Sequence, residues 1–325
     1  MNSMTKFFKP KIALALGGGG ARGLSHLGIL ALLEKVGIKV DMVVGTSIGA
    51  LVGAVYCGCA DAFLTYSVLS KFFSSEGFEI EYFEKVKKMM LPNRRKEGFF
   101  GRIKKAFLWG SFALKTTTKE SFIPKEKVSL SIDALFGDKL IEELPIKLAV
   151  VATDLNSGEE VILTQGRISD AVKASIAIAG IFPSAQIGRK TLIDGGYVNQ
   201  IPVEDAFKLG ADVVIASDVS SEITVIEETE KITGSKSQIR AAMILAETAR
   251  KFQLRFADVA IKPDLKDLHW TEFDKIEVFF ERGFSAAQEN LPIIKKKIFT
   301  AKMKKVFWNI FGRKWSVDFK KEGDF

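Results

Sequence analysis

Lys11-Ile12-Ala13-Leu14-Ala15-Leu16 runs straight into Gly17-Gly18-Gly19-Gly20-Ala21-Arg22-Gly23, and Met42-Val43-Val44 runs into Gly45-Thr46-Ser47-Ile48-Gly49. Each is a short apolar run cut by a glycine-bearing turn. Apolar runs this short, bounded by turn residues, predict buried strands. After the first turn, leucines recur at helical spacing over 24–36, with Gly37 placed to stop the helix. After the second, 48–60 is a helix of small residues. Strand, loop, helix, strand, turn, helix is the opening of a parallel sheet covered on both faces.

The same alternation resumes downstream. Strands are expected over 147–152, 191–193 and 212–216, and helices over 168–179, 203–209 and 238–256. The fold class expected is α/β, a three-layer α/β/α sandwich with a mostly parallel central sheet. A Phe- and Lys-rich segment, 62–127, interrupts the pattern as a lid-like helical insertion. The expected organisation is an N-terminal extension (1–10), a catalytic domain (11–292) and a basic amphipathic tail (293–325).

Gly45-Thr46-Ser47-Ile48-Gly49 is G-x-S-x-G between a strand and a helix. A serine on so sharp a turn presents its hydroxyl at the carboxyl end of the sheet. Gly45 and Gly49 remove side chains that would collide there, and the helix N-terminus behind favours developing negative charge. The glycine loop admits two readings. Gly18-x-Gly20-x-x-Gly23 with Asp41 imitates a dinucleotide fingerprint, but Asp41 precedes its strand, whereas a ribose-binding acid must follow it. An oxyanion hole fits better: Gly18, Gly19 and Gly20 would aim backbone N–H groups at one point, and Arg22 would add positive character. A base for Ser47 must come from elsewhere. Asp194, at the end of a short apolar strand and followed by Gly195 and Gly196, is the candidate, although Asp-Gly-Gly alone is a common turn.

Together these three pieces resemble the patatin-like phospholipases, in particular the bacterial branch related to neuropathy target esterase. Ser25-His26-x-Gly28, Ala152-Thr153-Asp154-Leu155, Ala174-Ser175-Ile176-x-Ile178-x-Gly180-Ile181-Phe182-Pro183 and Asn199-x-x-Pro202 extend the resemblance over about residues 11–292. Ala179 departs from it, standing where relatives often carry proline. The resemblance implies a Ser-Asp dyad without histidine. Ser47 would be the nucleophile and Asp194 the general base, with Gly18–Gly20 and Arg22 stabilising the oxyanion. No cofactor and no metal are implied. A Ser47…Asp194…His269 triad in chain order is the rival, but His269 lies in a polar surface stretch, and His26 reads as a packing or supporting residue.

The chain's formal charge of +8 over 325 residues is not spread evenly. Residues 85–127 hold 13 basic and 3 acidic residues, and 295–325 hold 10 and 3. Three of the four Trp also fall in these two segments. Both wind into amphipathic helices. In the tail Phe299, Met303, Val306, Phe307, Ile310 and Phe311 share one stripe, with lysines outside it. Basic residues interleaved with aromatics fit an anionic membrane surface better than nucleic acid. Cys57 and Cys59, in an apolar stretch, read as buried thiols of a reducing compartment. The uncharged stretch 42–60 is broken by glycines and reads as strand, turn and helix, not as a span.

The expectation is thus a cytoplasmic, peripherally membrane-associated enzyme that cleaves carboxylic esters of phospholipids or lysophospholipids through an acyl-enzyme. Two alternatives stand beside it: a soluble serine esterase or thioesterase on short acyl groups, and a catalytically silent membrane-associated regulatory protein.

Overall fold

The computed structural model describes residues 9–75, 121–223 and 233–311. Its sheet contains β1 (Ile12–Leu16), β2 (Met42–Thr46), β3 (Lys147–Asp154), β4 (Glu160–Leu163), β5 (Ala185–Ile187), β6 (Lys190–Asp194), β7 (Val213–Ser217) and β8 (Val259–Ile261). Five strands, β3-β2-β1-β7-β8, pair in parallel in that order. β4, β5 and β6 add an antiparallel margin beyond β3.

The central strands β1, β2 and β7 are buried at every residue, which explains their unbroken apolar reading. Residues alternate between faces. Ile12, Leu14, Leu16, Val43, Leu148, Val150 and Ile215 join the larger core, whereas Ala13, Ala15, Val44, Ala149, Val214 and Ala216 join the smaller one. The large side chains lie under α1 (Ser25–Lys35), α2 (Ile48–Cys59), α3 (Ala62–Phe73), α4 (Lys125–Phe136), α5 (Ile168–Ser175) and the long C-terminal helix. The small ones sit on the side of α6 (Val203–Lys208) and the end of α7 (Gly234–Leu254). This is the expected three-layer α/β/α architecture.

The strand that Asp194 ends lies in this margin. β6 is antiparallel to β3. Val151 pairs with Thr46 on one side and Ile162 on the other, and Ala152 pairs with Asp194 and Val161. β4 therefore lines one edge of β3, while β2 and β6 follow one another along the opposite edge. They meet end to end, with Thr46 and Asp194 opposite successive residues of β3.

α8 (Ile276–Phe311) is one continuous helix through Pro292, so the expected boundary at 292 falls inside it. Its first half packs on α1 where two glycines meet the facing helix. A Cβ on Gly283 would lie 1.8 Å from the Ser25 carbonyl oxygen, and one on Gly28 would lie 1.9 Å from that of Phe280. Its second half passes the amino-terminal edge of the sheet. Lys297 reaches Asp258, just before β8 (3.5 Å), and Lys305 reaches Asp212, just before β7 (2.5 Å). Phe299, Met303, Phe307 and Trp308 are exposed there.

Of the expected insertion 62–127, α3 belongs to the body of the domain, with Leu69 and Phe73 buried. Residues 85–120 of the basic segment expected to wind into an amphipathic helix, and everything beyond 311, lie outside the described residues, as do the side chains of Ile310 and Phe311. Cys57 is buried and Cys59 half-buried, both as free thiols.

Candidate active site

Ser47 sits between β2 and α2 with φ 57° and ψ −124°, a conformation that L-residues with a side chain rarely adopt. It costs on the order of 1–3 kcal/mol and persists only where the surroundings enforce it. Here a Cβ on Gly45 would lie 2.5 Å from the Gly49 carbonyl oxygen, and one on Gly49 would lie 2.2 Å from that of Leu16. The turn therefore closes only with glycine at both positions. The Ser47 N–H donates to Ser175 Oγ (2.8 Å), which in turn donates to the Val151 carbonyl (2.6 Å). That buried relay ties the elbow to α5 and β3.

The Ser47 hydroxyl donates to Asp194 Oδ2 at 2.6 Å. The other carboxylate oxygen, Oδ1, accepts the N–H of Gly196 at 2.7 Å, and Thr153 Oγ1 holds the Asp194 carbonyl. Gly195 lets this turn press on β3, where a Cβ would lie 2.3 Å from the Val151 carbonyl oxygen. Asp194 is 6% exposed. Burial raises its carboxyl to about 6, against the opposing bonds from Ser47 and Gly196. At neutral pH it is ionised yet far more basic than a surface aspartate.

The glycine loop borders this pair. A Cβ on Gly18 would lie 3.1 Å from Ser47 Cβ. Gly18 donates its N–H to the Gln200 carbonyl (3.1 Å), and its own carbonyl accepts Gln200 Nε2 (2.7 Å). Its N–H is thus already used, contrary to the expectation that it faces an oxyanion. The N–H groups of Gly19 and Gly20 have no acceptor among the described residues.

Arg22 is also placed otherwise than expected. Nε donates to the Val219 carbonyl (2.7 Å), Nη1 to those of Leu265 and Leu268, and Nη2 to that of Ser220. The guanidinium staples two loops together, and Ala21 adds a bond to the Trp270 carbonyl (2.7 Å). Arg22 shapes the glycine loop and does not offer its charge at Ser47.

Neither histidine joins Ser47. His269 Nδ1 pairs with Thr271 Oγ1 (2.8 Å). His26 is fully buried, between Ser217 Oγ (2.8 Å) and the Gly17 carbonyl (2.9 Å), and burial holds its imidazole neutral, at about 4. It supports the glycine loop from below. Asp41 accepts the Ile12 N–H at the amino edge, far from any site for a nucleotide ribose. Ala179 donates its N–H to Tyr197 Oη (3.2 Å), a bond that proline at this position could not make.

Sequence reasoning missed Gln200 and the scaffolding role of Ser175. Their side chains bond to backbone groups distant in sequence, so no partner side chain marks them. Among the described residues no His, Cys, Asp and Glu cluster has a metal-binding arrangement.

An apolar pocket opens at Ser47, lined by Leu51, Phe72 and Phe73, by Ile123, Val128 and Ile132, and by Ile178, Phe182, Trp270 and Phe273. The two flanks of the expected insertion, 62–75 and 121–127, supply part of this wall.

The family model for patatin-like phospholipase matches residues 14–207, which contain both Ser47 and Asp194. The chain belongs to the patatin-like phospholipase family. A patatin-like phospholipase domain-containing protein of Caenorhabditis elegans is 34% identical over 221 residues, 67% of this chain and 14% of that protein. Lysophospholipase NTE1 of Phaeosphaeria nodorum is 33% identical over 211 residues, 65% of this chain and 12% of that protein. The chain thus spans about an eighth of the length of these relatives. Among solved structures, human GIVD cytosolic phospholipase A2 superposes with a TM-score of 0.52 at 10% identity, over 93% of this chain and 62% of that one. The patatin-like fold is shared with it; at that identity the likeness extends no further.

Proposed function

We propose that this patatin-like chain is a serine hydrolase of lipid carboxylic esters, acting on phospholipids or lysophospholipids through an acyl-enzyme. The observation that carries the reading is the 2.6 Å bond from Ser47 Oγ to a buried, basic Asp194 at the mouth of an apolar pocket. A carboxylate near 6 is matched to taking a proton from serine at neutral pH without a histidine. The pocket suits an acyl chain, whose burial contributes about 0.8 kcal/mol per methylene.

In this mechanism Asp194 takes the hydroxyl proton as Ser47 Oγ bonds to the ester carbonyl carbon. The electron pair of the carbonyl moves to its oxygen, beside the N–H groups of Gly19 and Gly20. Collapse breaks the bond to the alcohol, which leaves with the proton from Asp194. Water, deprotonated by the same carboxylate, then attacks the acyl-serine; the bond to Ser47 Oγ breaks, Asp194 returns the proton to that oxygen, and the fatty acid is released. The names of the relatives support the lipid class of substrate.

The test is mass spectrometry of products formed from a mixed lipid extract. Wild type should release fatty acid and a deacylated lipid, and Ser47→Ala should release neither. Hydrolysis of short acyl esters with intact lipids untouched would favour a soluble esterase instead.

A further inference from the structure

Ala241-Ala242-Met243-Ile244-Leu245-Ala246 in α7 is an unbroken apolar run between Arg240 and Glu247. Six consecutive residues cover more than a full helical turn, so the band is apolar on every side. All six are exposed, with Leu245 72% accessible, and Ile239 one turn earlier is exposed too. A helix apolar all round belongs in a protein core or in lipid.

The last two turns of α7 are bonded to the carboxyl edge of the sheet. Arg250 and Asp218 form a buried ion pair. Glu247 accepts the Ile223 N–H, and Gln253 binds Ile201 and Val198. Asp218 directly follows β7, and 198–201 follow the turn after β6, so the anchor lies at the same carboxyl edge of the sheet as Ser47. Next to Asp218, Val219 packs on the glycine loop, where a Cβ on Gly19 would lie 2.8 Å from Val219 Cγ2. The anchor thus fixes the helix relative to the catalytic mouth.

A protein partner covers one side of a helix, whereas this band calls for a medium that surrounds it. Residues 234–246 of α7 carry Lys236 and Arg240 and no acidic residue, a sign of charge that complements an anionic surface. We propose that the apolar band of α7, residues 239–246, seats the domain on an anionic lipid surface, with the catalytic edge toward that surface. The reading rests on the lipid-ester function proposed above. It differs from docking through the C-terminal stripe. Phe299, Met303 and Phe307 lie with Lys305 and Asp212 at the opposite edge, about 20 Å of strand away. A bilayer against that stripe would leave Ser47 facing away.

The test compares wild type, Met243→Glu/Leu245→Glu and Phe299→Glu/Phe307→Glu. Each is floated with phosphatidylcholine/phosphatidylglycerol vesicles and with pure phosphatidylcholine, assayed on p-nitrophenyl butyrate, and sized by light scattering. Wild type and the α8 variant should float with the anionic vesicles. The α7 variant should lose about tenfold or more of its bound fraction and keep its turnover of the soluble ester. Equal flotation of wild type and the α7 variant, or no flotation of either, overturns the proposal. So does a wild-type dimer that the α7 substitutions convert to monomer without changing flotation, since a second copy then covers the band. Flotation lost in the α7 variant while wild type hydrolyses neither ester nor lipid leaves docking standing and removes the hydrolase reading.

Discussion

Ser47 and Asp194 stand at the facing ends of two strands that share one edge of β3, the first strand parallel to it and the second antiparallel. The contact between nucleophile and carboxylate is therefore built into sheet register and does not depend on a mobile loop. A shift of β6 by one residue would turn the Asp194 side chain to the other face. Since the 2.6 Å bond is direct, no histidine stands between them. Ser47→Ala and Asp194→Ala should each lower kcat/KM on p-nitrophenyl esters by about 10³-fold or more. His269→Ala should stay within about threefold of wild type. Equal losses in Asp194→Ala and His269→Ala would return the triad to consideration.

Asp194 also sets a pH dependence. Its folded value, about 6, lies above the roughly 3.9 of a solvated aspartate. As a base it must be ionised, so activity should fall as pH drops through about 6. The stability effect has the opposite sense. Folding disfavours the ionised form, so the cost is fully present above pH 6 and disappears below pH 4. It amounts to roughly 3 kcal/mol. Asp194→Asn, which keeps an acceptor for Gly196, should be inactive yet more stable than wild type at pH 8, with the gap closing toward pH 4. Urea unfolding at the two pH values checks this, and a gap independent of pH would contradict the assignment of the raised carboxyl.

Much of this site was legible in the sequence because its chemistry depends on steric exclusion. Gly45, Gly49 and Gly195 leave no room for a Cβ, and such positions show as fixed glycines around a lone serine or aspartate. The topology of β6 was not legible. A five-residue strand pairs with either polarity from the same apolar pattern, and only the end-to-end arrangement along β3 distinguishes them. Arg22 misled for a related reason. A cation beside a glycine loop predicts an anion site, but the residues that consume its donors, Val219, Ser220, Leu265 and Leu268, contribute only carbonyls and lie some 200 residues or more away. In α7 the helix itself is legible over 238–256, but which of its apolar residues stay exposed depends on tertiary packing and leaves no mark in the sequence.

The placement of Arg22 leads to a prediction about stability. Lysine keeps the charge but cannot reproduce a planar fork that reaches four carbonyls at once. Arg22→Lys should therefore lose at least two of these bonds in a buried setting, costing about 2–4 kcal/mol. Denaturant midpoints should fall accordingly, and kcat should drop as the glycine loop loosens. A role as oxyanion charge would predict the reverse pattern, with stability kept and Arg22→Lys largely active.

The crossing of α1 and α8 gives a sign test. In an exposed helix, replacing glycine by alanine stabilises by up to about 1 kcal/mol, because alanine loses less backbone freedom on folding. At Gly283 the added methyl carbon would meet the Ser25 carbonyl oxygen at 1.8 Å, a backbone atom that cannot rotate aside. The helices would have to separate, which costs about 1–3 kcal/mol or more in a packed interior. Gly283→Ala should thus lower the thermal midpoint by several degrees. Gly28→Ala should do the same, and the pair together should cost less than the sum, because one separation relieves both clashes. Stabilisation by either substitution would mean that the two helices do not pack at this distance.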